Sequence, residues 1–465
     1  MAQKFWQLFV TSALLIGNSV ALAVPFNSID PRSMGMGGAG VAVGDTKMAP
    51  FFNPALLTVT NKEDDFSLAL PIIGVRAYDP SDFSNSLDNF QSGNYVSNLD
   101  ASIATYNANP SSQNSSNIGQ ISTDISALSS QLASLSDKPI QAELGAGLVV
   151  GIPSKSFGGA FYANGWQALG GVIRYKDDQL LQDFVTVSST VANTLSTSCG
   201  GTVNSSAPCV AGLTTLQTDP LVNKYFLVDT TTNPASPTVA STFNANNGIQ
   251  SSVDIRGVGF TEIGLALAHE YGNADKTWGF GITPKMVKVT LFDYSVGVNN
   301  GNTDNATNSD YTAKYSHFNF DLGLAKEYGN GWRTGFVVKN VIPHNYDFKN
   351  APTPGATPVA TGATISLKPQ TRIGISHSNS WSTAAMDLDL TANDPAGLEK
   401  KSQYLALGGE LNAWSWAQIR AGYRANLKDS ARNVTSLGLG LGPFDLTVAS
   451  SSKEFGAAFA FGFTF

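Results

Sequence analysis

The chain has 465 residues, a formal net charge of −7 and only 14% charged residues, against ~25% in an ordinary soluble domain. That balance lacks the basic stripe of a nucleic-acid binder, so no nucleic-acid partner is expected. Glycine is abundant at 45 residues, yet no segment beyond the N-terminus offers ~18 consecutive apolar residues, which excludes a transmembrane helix.

Lys4, the apolar run Phe5 to Val20 and the A-x-A site Ala21-Leu22-Ala23 read as a signal peptide over residues 1–23. Residues 24–64 precede any clear strand. Gly35, Gly37 and Gly40 satisfy G-x-G-x-x-G, but a dinucleotide site needs a hydrophobic strand before the glycines and an acidic residue further on. Neither is convincing, and no cofactor is expected. Gly35, Gly37, Gly38 and Gly40 instead read as a compact segment packed where side chains do not fit, such as a barrel interior. Asn53, Pro54 and Ala55 would cap a short turn there.

The Gly-Met-Gly-Gly-Ala-Gly run at 35–40, followed by Asn53-Pro54-Ala55, resembles the N-terminus of FadL-type outer-membrane proteins, which transport long-chain fatty acids and other hydrophobes. The fuller match is similar to the family called conjugal transfer protein TraF. It runs from Pro25-Phe26 through Ser33-Met34-Gly35-Met36-Gly37-Gly38 to Phe51-Phe52-Asn53-Pro54-Ala55-Leu56-Leu57. A thioredoxin-like periplasmic protein shares that name, but it needs a C-x-x-C that this chain lacks. The resemblance implies a barrel plugged by residues 24–64, in the outer membrane of a Gram-negative bacterium. It implies outer-membrane lipid and the barrel-assembly machinery as partners. A hydrophobic small-molecule ligand follows from the first family, conjugation components from the second.

From about residue 65 the chain alternates strands and links. The first strand is expected at 66–78. The segment 79–139 is rich in Ser, Asn and Asp and reads as a loop, with a helical stripe at Ile118, Ile121, Ile125, Leu128, Leu132 and Leu135. Strands follow at 140–152, 157–176, 250–271, 276–297, 311–328, 332–348, 362–377, 381–392, 400–412, 417–428, 433–441, 444–450 and 455–465. Short links such as Gly329–Gly331 and Gly442-Pro443 take turns with longer ones, the pattern of short periplasmic turns and long outer loops. Segment 177–249 is Ser-, Thr- and Asn-rich and reads as a solvated outer loop. It holds the two cysteines, Cys199 and Cys209, whose spacing in an exported chain suits a disulfide.

Strand faces divide cleanly. Met386, Leu388 and Leu390 alternate with Asp387 and Asp389, and Ile419, Ala421 and Tyr423 oppose Arg420 and Arg424. The apolar faces suit lipid and the polar faces a lumen, with Arg333, Arg372, Asp387, Asp389, Glu410, Arg420 and Arg424 as candidate lining residues. Trp278, Trp332, Trp381, Trp414 and Trp416 fall at strand ends or turns, where an interfacial girdle would sit. No pair among His269, His317, His344 and His377 has the H-x-x-x-H spacing, so neither a metal site nor catalysis is expected. The chain stops on Phe461, Phe463 and Phe465 in alternation, which resembles the C-terminal assembly signal of bacterial outer-membrane barrels. The expected fold is all-β: a transmembrane antiparallel barrel of about fourteen strands over 65–465, with an N-terminal plug and long outer loops. The expected function is a passive channel for small hydrophobic or amphipathic molecules, or alternatively an interaction protein of conjugative plasmid transfer.

Overall fold

Alternation of large apolar and small or polar residues builds eighteen strands among the described residues, numbered in chain order. They are β1 (Ser67–Tyr78), β2 (Ile140–Ile152), β3 (Phe157–Arg174), β4 (Phe226–Asp229), β5 (Thr238–Ser241), β6 (Ser252–Asn273), β7 (Lys276–Gly297), β8 (Thr312–Tyr328) and β9 (Trp332–Lys339), then β10 (His344–Asn350), β11 (Val359–Leu367), β12 (Gln370–Ser378), β13 (Ser382–Asp389), β14 (Tyr404–Trp414), β15 (Ala417–Asn426), β16 (Val434–Leu441), β17 (Phe444–Ser450) and β18 (Glu454–Thr464). The computed structural model describes residues 29–59, 65–154, 156–233, 236–244, 248–273, 276–298, 311–350, 359–393, 401–414 and 416–464. The expected signal peptide at 1–23 and Phe465 lie outside them.

Fourteen strands close into one antiparallel barrel, with β1 paired to both β2 and β18. Closure leaves no edge with unpaired backbone groups, the condition for a sheet in hydrocarbon. Large apolar side chains stand on the outer face: Phe161, Phe280, Leu437 and Phe455 are 46–65% exposed. No helix among the described residues is long and apolar enough to cross a membrane. The last strand repeats the rule. Phe455 is exposed and Phe459 and Phe461 half-buried, whereas Gly456, Ala458 and Ala460 are buried inside. All five tryptophans named above sit at the short-turn end of the barrel and are 39–61% exposed, a belt at one rim.

The wall is uneven: β6 and β7 have 22 residues each, while β9 and β13 have eight. Here the structure corrects two expected strands. Segments 332–348 and 362–377 do not run straight through. Asn340, at φ +54°, turns the chain off the wall after Lys339, and β10 and β11 pair only with each other before β12 rejoins the barrel. Pro343 and Pro369 flank this hairpin, and neither can donate to a ladder. The hairpin folds inward. Tyr346, Phe348, Ile365 and Leu367 pack on Val258, Phe260, Val287, Val289 and Leu291 of the tall wall.

The long links are not solvated coil either. Helices Tyr95–Asn107, Ser115–Leu135, Asp178–Ser198 and Ala207–Gln217 occupy 79–139 and 177–249. Their apolar stripes form a single core: Ile118, Ile121, Ile125, Leu128 and Leu132 meet Leu181, Phe184, Val187, Val191 and Leu195. The Ser- and Thr-rich composition of 177–249 therefore describes only the exposed side of its helices. Cys199 and Cys209 form a disulfide.

Candidate functional site: the filled lumen

Residues 29–59 run through the barrel interior. Asp30 caps the helix Pro31–Gly35 by accepting from the Arg32 and Ser33 amides, and Gly37 and Gly38 take positive φ (+69° and +96°) to turn the chain back. The wall is small where this segment touches it. A methyl group added at Gly422 would lie 2.0 Å from Gly37 N, and one at Gly408 would lie 2.4 Å from Met36 O. Asn53 ties the segment to itself and to the wall, donating from Nδ2 to Val41 O and Leu324 O, 3.0 Å each, and accepting from Ala55 N at 3.1 Å. Pro54 and Ala55 lie against Gly281 and Gly323.

The seven charged candidates all face inward, and they fall into groups around this segment. Glu410 receives Arg32 (Nε 2.9 Å, Nη2 2.8 Å) from the segment and Arg420 Nε (2.7 Å) from the neighbouring strand, while Arg420 also reaches Asp445. Asp387 accepts from the backbone N–H of Gly40 (2.8 Å) and Val41 (2.9 Å). Arg372 pairs with Asp389 at 2.5 Å and donates to Gly38 O at 3.3 Å. Arg333 donates to Val59 O at 3.1 Å. Arg424 pairs with Glu454 and lies over the Tyr404 ring at 4.8 Å. Arg333, Arg372, Asp387 and Glu410 thus hold the N-terminal segment directly. Asp389 and Arg420 brace two of those that do, Arg372 and Glu410, whereas Arg424 belongs to the Glu454 group.

Sequence reading missed Arg76, Glu143, Arg432, Glu454, Lys285 and Glu262, which complete these groups. Arg76 lies 3.3 Å from both Glu143 and Glu454, and Arg432 adds a second guanidinium to the same two acids. Lys285 is wholly buried between Glu262 (2.7 Å) and Asp321 (2.8 Å). Parity was the available signal. Arg76 lies out of step with Ile73 and Val75, and Lys285 out of step with Ile282 and Met286, so both belong to the polar face. His317 and His344 also meet, with ring centroids 3.7 Å apart, although 27 residues of chain separate them; nothing in their spacing indicates it.

These ion pairs leave little room. A cavity of about 20 Å³ lies among Gly38, Arg76, Arg372, Tyr404 and Arg424, enough for roughly one water. A larger concavity of about 590 Å³ opens on the outer face of the wall, lined by Phe157, Leu267, Phe280, Ile282, Leu322 and Phe336. Gly281 and Gly323 form its floor, and Pro54 and Ala55 are behind them.

The model for the family described as F plasmid transfer operon, TraF, protein matches residues 50–389, well over half of the chain. The chain belongs to that family. No curated protein matches it. Among solved structures, the TraF-family barrel is similar to the monoaromatic hydrocarbon channel CymD, at 11% identity over 95% of this chain and 99% of that one, with a TM-score of 0.47. It is also similar to the toluene transporter TbuX of Ralstonia pickettii (12%, 94% and 98%, TM-score 0.45) and to a FadL homologue of Pseudomonas aeruginosa (10%, 95% and 97%, TM-score 0.40). The barrel assignment itself stands on the closed ladder of fourteen strands.

Proposed function

We propose that this TraF-family chain is an outer-membrane channel that passes small hydrophobic or amphipathic molecules without an energy source, with residues 29–59 as its plug. The observation that carries the reading is the apolar concavity in the wall. Its volume is in the range of small-molecule sites, its lining is almost wholly hydrocarbon, and only two glycines separate it from Pro54 and Ala55. A side chain at either glycine would collide with the plug, so wall and plug are fitted to each other here, as they are at Gly408 and Gly422. A cargo dissolved in the bilayer needs such a place to meet the lumen.

The test is uptake of a fluorescent long-chain carboxylic acid by vesicles carrying the purified protein. Ile282→Trp with Leu322→Trp, which fill the concavity from outside, should cut the rate at least tenfold while the barrel still folds. Equal uptake by the filled variant and the parent would refute the reading. The folded helical cap supports a second reading, an outer-membrane interaction protein of conjugative transfer. Deleting the gene should then lower plasmid transfer frequency, and unchanged transfer would remove that reading.

A further inference from the structure

We propose that Lys288 and Lys314 form a binding site, on the lipid-facing side of the barrel, for a phosphate monoester of an outer-leaflet glycolipid of the lipid A type. The proposal rests on the outer-membrane placement in the reading above and not on transport.

Among the described residues of the barrel strands, alternation puts three charged side chains on the outer side: Lys288, Lys314 and Lys326. All three are lysines, and all three are on β7 and β8. A lysine facing lipid is costly at the midplane and tolerated near an interface, so the height of each one is informative. Lys326 pairs across the ladder with Trp278 and lies 4.4 Å over that ring and 5.0 Å over Tyr328. It belongs to the aromatic rim at the short turns. Above it, β7 presents Phe280, Ile282, Pro284 and Met286, and β8 presents Leu324, Leu322, Phe320 and Phe318, all apolar. Lys288 ends that run. It stands ten residues beyond Trp278 on β7, which is ~34 Å along the strand at ~3.4 Å per residue. At a strand tilt of ~40° this is ~26 Å along the membrane normal, the height of one apolar band. Lys288 and Lys314 therefore stand at the second interface. With the short turns on the periplasmic side, that interface is the outer one.

The local arrangement fits a compact dianion. In the register of β7 and β8, Lys288 faces Ser316 and Thr290 faces Lys314. The two lysines take one diagonal of this square and the two hydroxyl side chains take the other. Diagonal neighbours across a ladder are about 7 Å apart, and flexible four-carbon stems let both ammonium groups reach one phosphate. Both lysines are exposed, and among the described residues neither has an ion-pair partner. A phosphate monoester carries close to two negative charges at neutral pH, one for each lysine. The phosphodiester of a phospholipid carries one and leaves a lysine unmatched. Directly below the pair lie Met286, Phe318 and Phe320, on the side where the acyl chains of the same glycolipid descend.

The test is native mass spectrometry of the full-length protein in detergent, titrated separately with lipid A bearing its phosphate monoesters, with dephosphorylated lipid A and with phosphatidylglycerol. One molecule of the phosphorylated lipid A should bind, at least tenfold more tightly than either of the others. Lys288→Gln/Lys314→Gln should abolish that preference, whereas Lys326→Gln, at the opposite rim, should keep it. Equal binding of either comparison lipid would reduce the lysines to a general membrane anchor and overturn the proposal, and so would an unchanged preference in the double variant. Uptake is measured in vesicles free of lipid A, so a failed uptake assay and a failed titration are separate results.

Discussion

At the scale of single residues, the interior is held by charges that cannot be removed one at a time. Glu410 is shared by Arg32 of the N-terminal segment and Arg420 of the wall. Removing one member of such a buried group leaves an uncompensated charge and costs about 3–5 kcal/mol. Glu410→Gln should therefore loosen residues 29–45, read as a rise of a hundredfold or more in their hydrogen exchange, while the strands stay protected. Asp30 makes the hold on this segment depend on pH. Burial is the main cause that lifts its carboxyl from an ordinary 3.8 to about 7; the nearby Asp45 adds to the lift, and the Ser33 amide opposes it. A raised value means the folded state favours the proton. Its stabilisation is complete below the unfolded value of 3.8, is eroded as pH rises, and is lost above about 7. Asp30→Asn, which stays neutral, should keep residues 29–45 better protected than the parent at pH 8 and equally protected at pH 4, again by exchange.

At the scale of elements, the sequence was most legible where one face meets lipid. Period two is unambiguous in Met386, Asp387, Leu388 and Asp389, because the lipid-facing side tolerates only apolar groups and the inner side carries the charges. It was least legible where an element is buried on one side by the protein's own loops. Strand β10 alternates large and polar residues as a wall strand does, so 332–348 reads as one continuous wall strand. Only the left-handed Asn340 and the flanking prolines mark the departure, and a single sequence does not say which way the chain then turns. The cap hid itself differently. Helix Asp178–Ser198 buries Leu181, Phe184, Val187, Val191 and Leu195 but fills its other side with Ser, Thr and Asn, a composition that imitates a loop. Because those five residues and the helix Ser115–Leu135 share one core, the cap should melt as a unit. Ile125→Ala should cost about 2–5 kcal/mol of cap stability. Limited proteolysis should then cut within both 79–139 and 177–249 and leave the barrel intact. Cuts confined to the mutated segment would mean that the two links fold independently.

At the scale of the whole molecule, the barrel, its N-terminal segment and its inward hairpin form one closed stack. The segment occupies the short-turn half of the lumen and bonds to one continuous stretch of wall: β8 through Asn53, β9 through Arg333, β12 and β13 through Arg372 and Asp387, and β14 through Glu410. The described strands of the hairpin pack on the inner face of β6, β7 and β8 in the other half. Two layers in series, the segment and the hairpin, predict a resting state that passes no ions. The parent protein in a planar bilayer at pH 7.5 should therefore show no steady conductance. A variant lacking both 29–59 and 344–367 should conduct in discrete steps, whereas one lacking residues 29–59 alone should still be nearly closed at pH 7.5. Full conductance of that variant at pH 7.5 would mean that the hairpin does not block the lumen, and that the N-terminal segment alone sets permeability. The wall supplies the reason to expect two barriers. Its tall side at β6 and β7 presents an apolar inner surface above the ionic girdle, at Val258, Phe260, Val287 and Val289. Water in the lumen would wet that surface at a cost, and the aromatic face of the hairpin is what covers it.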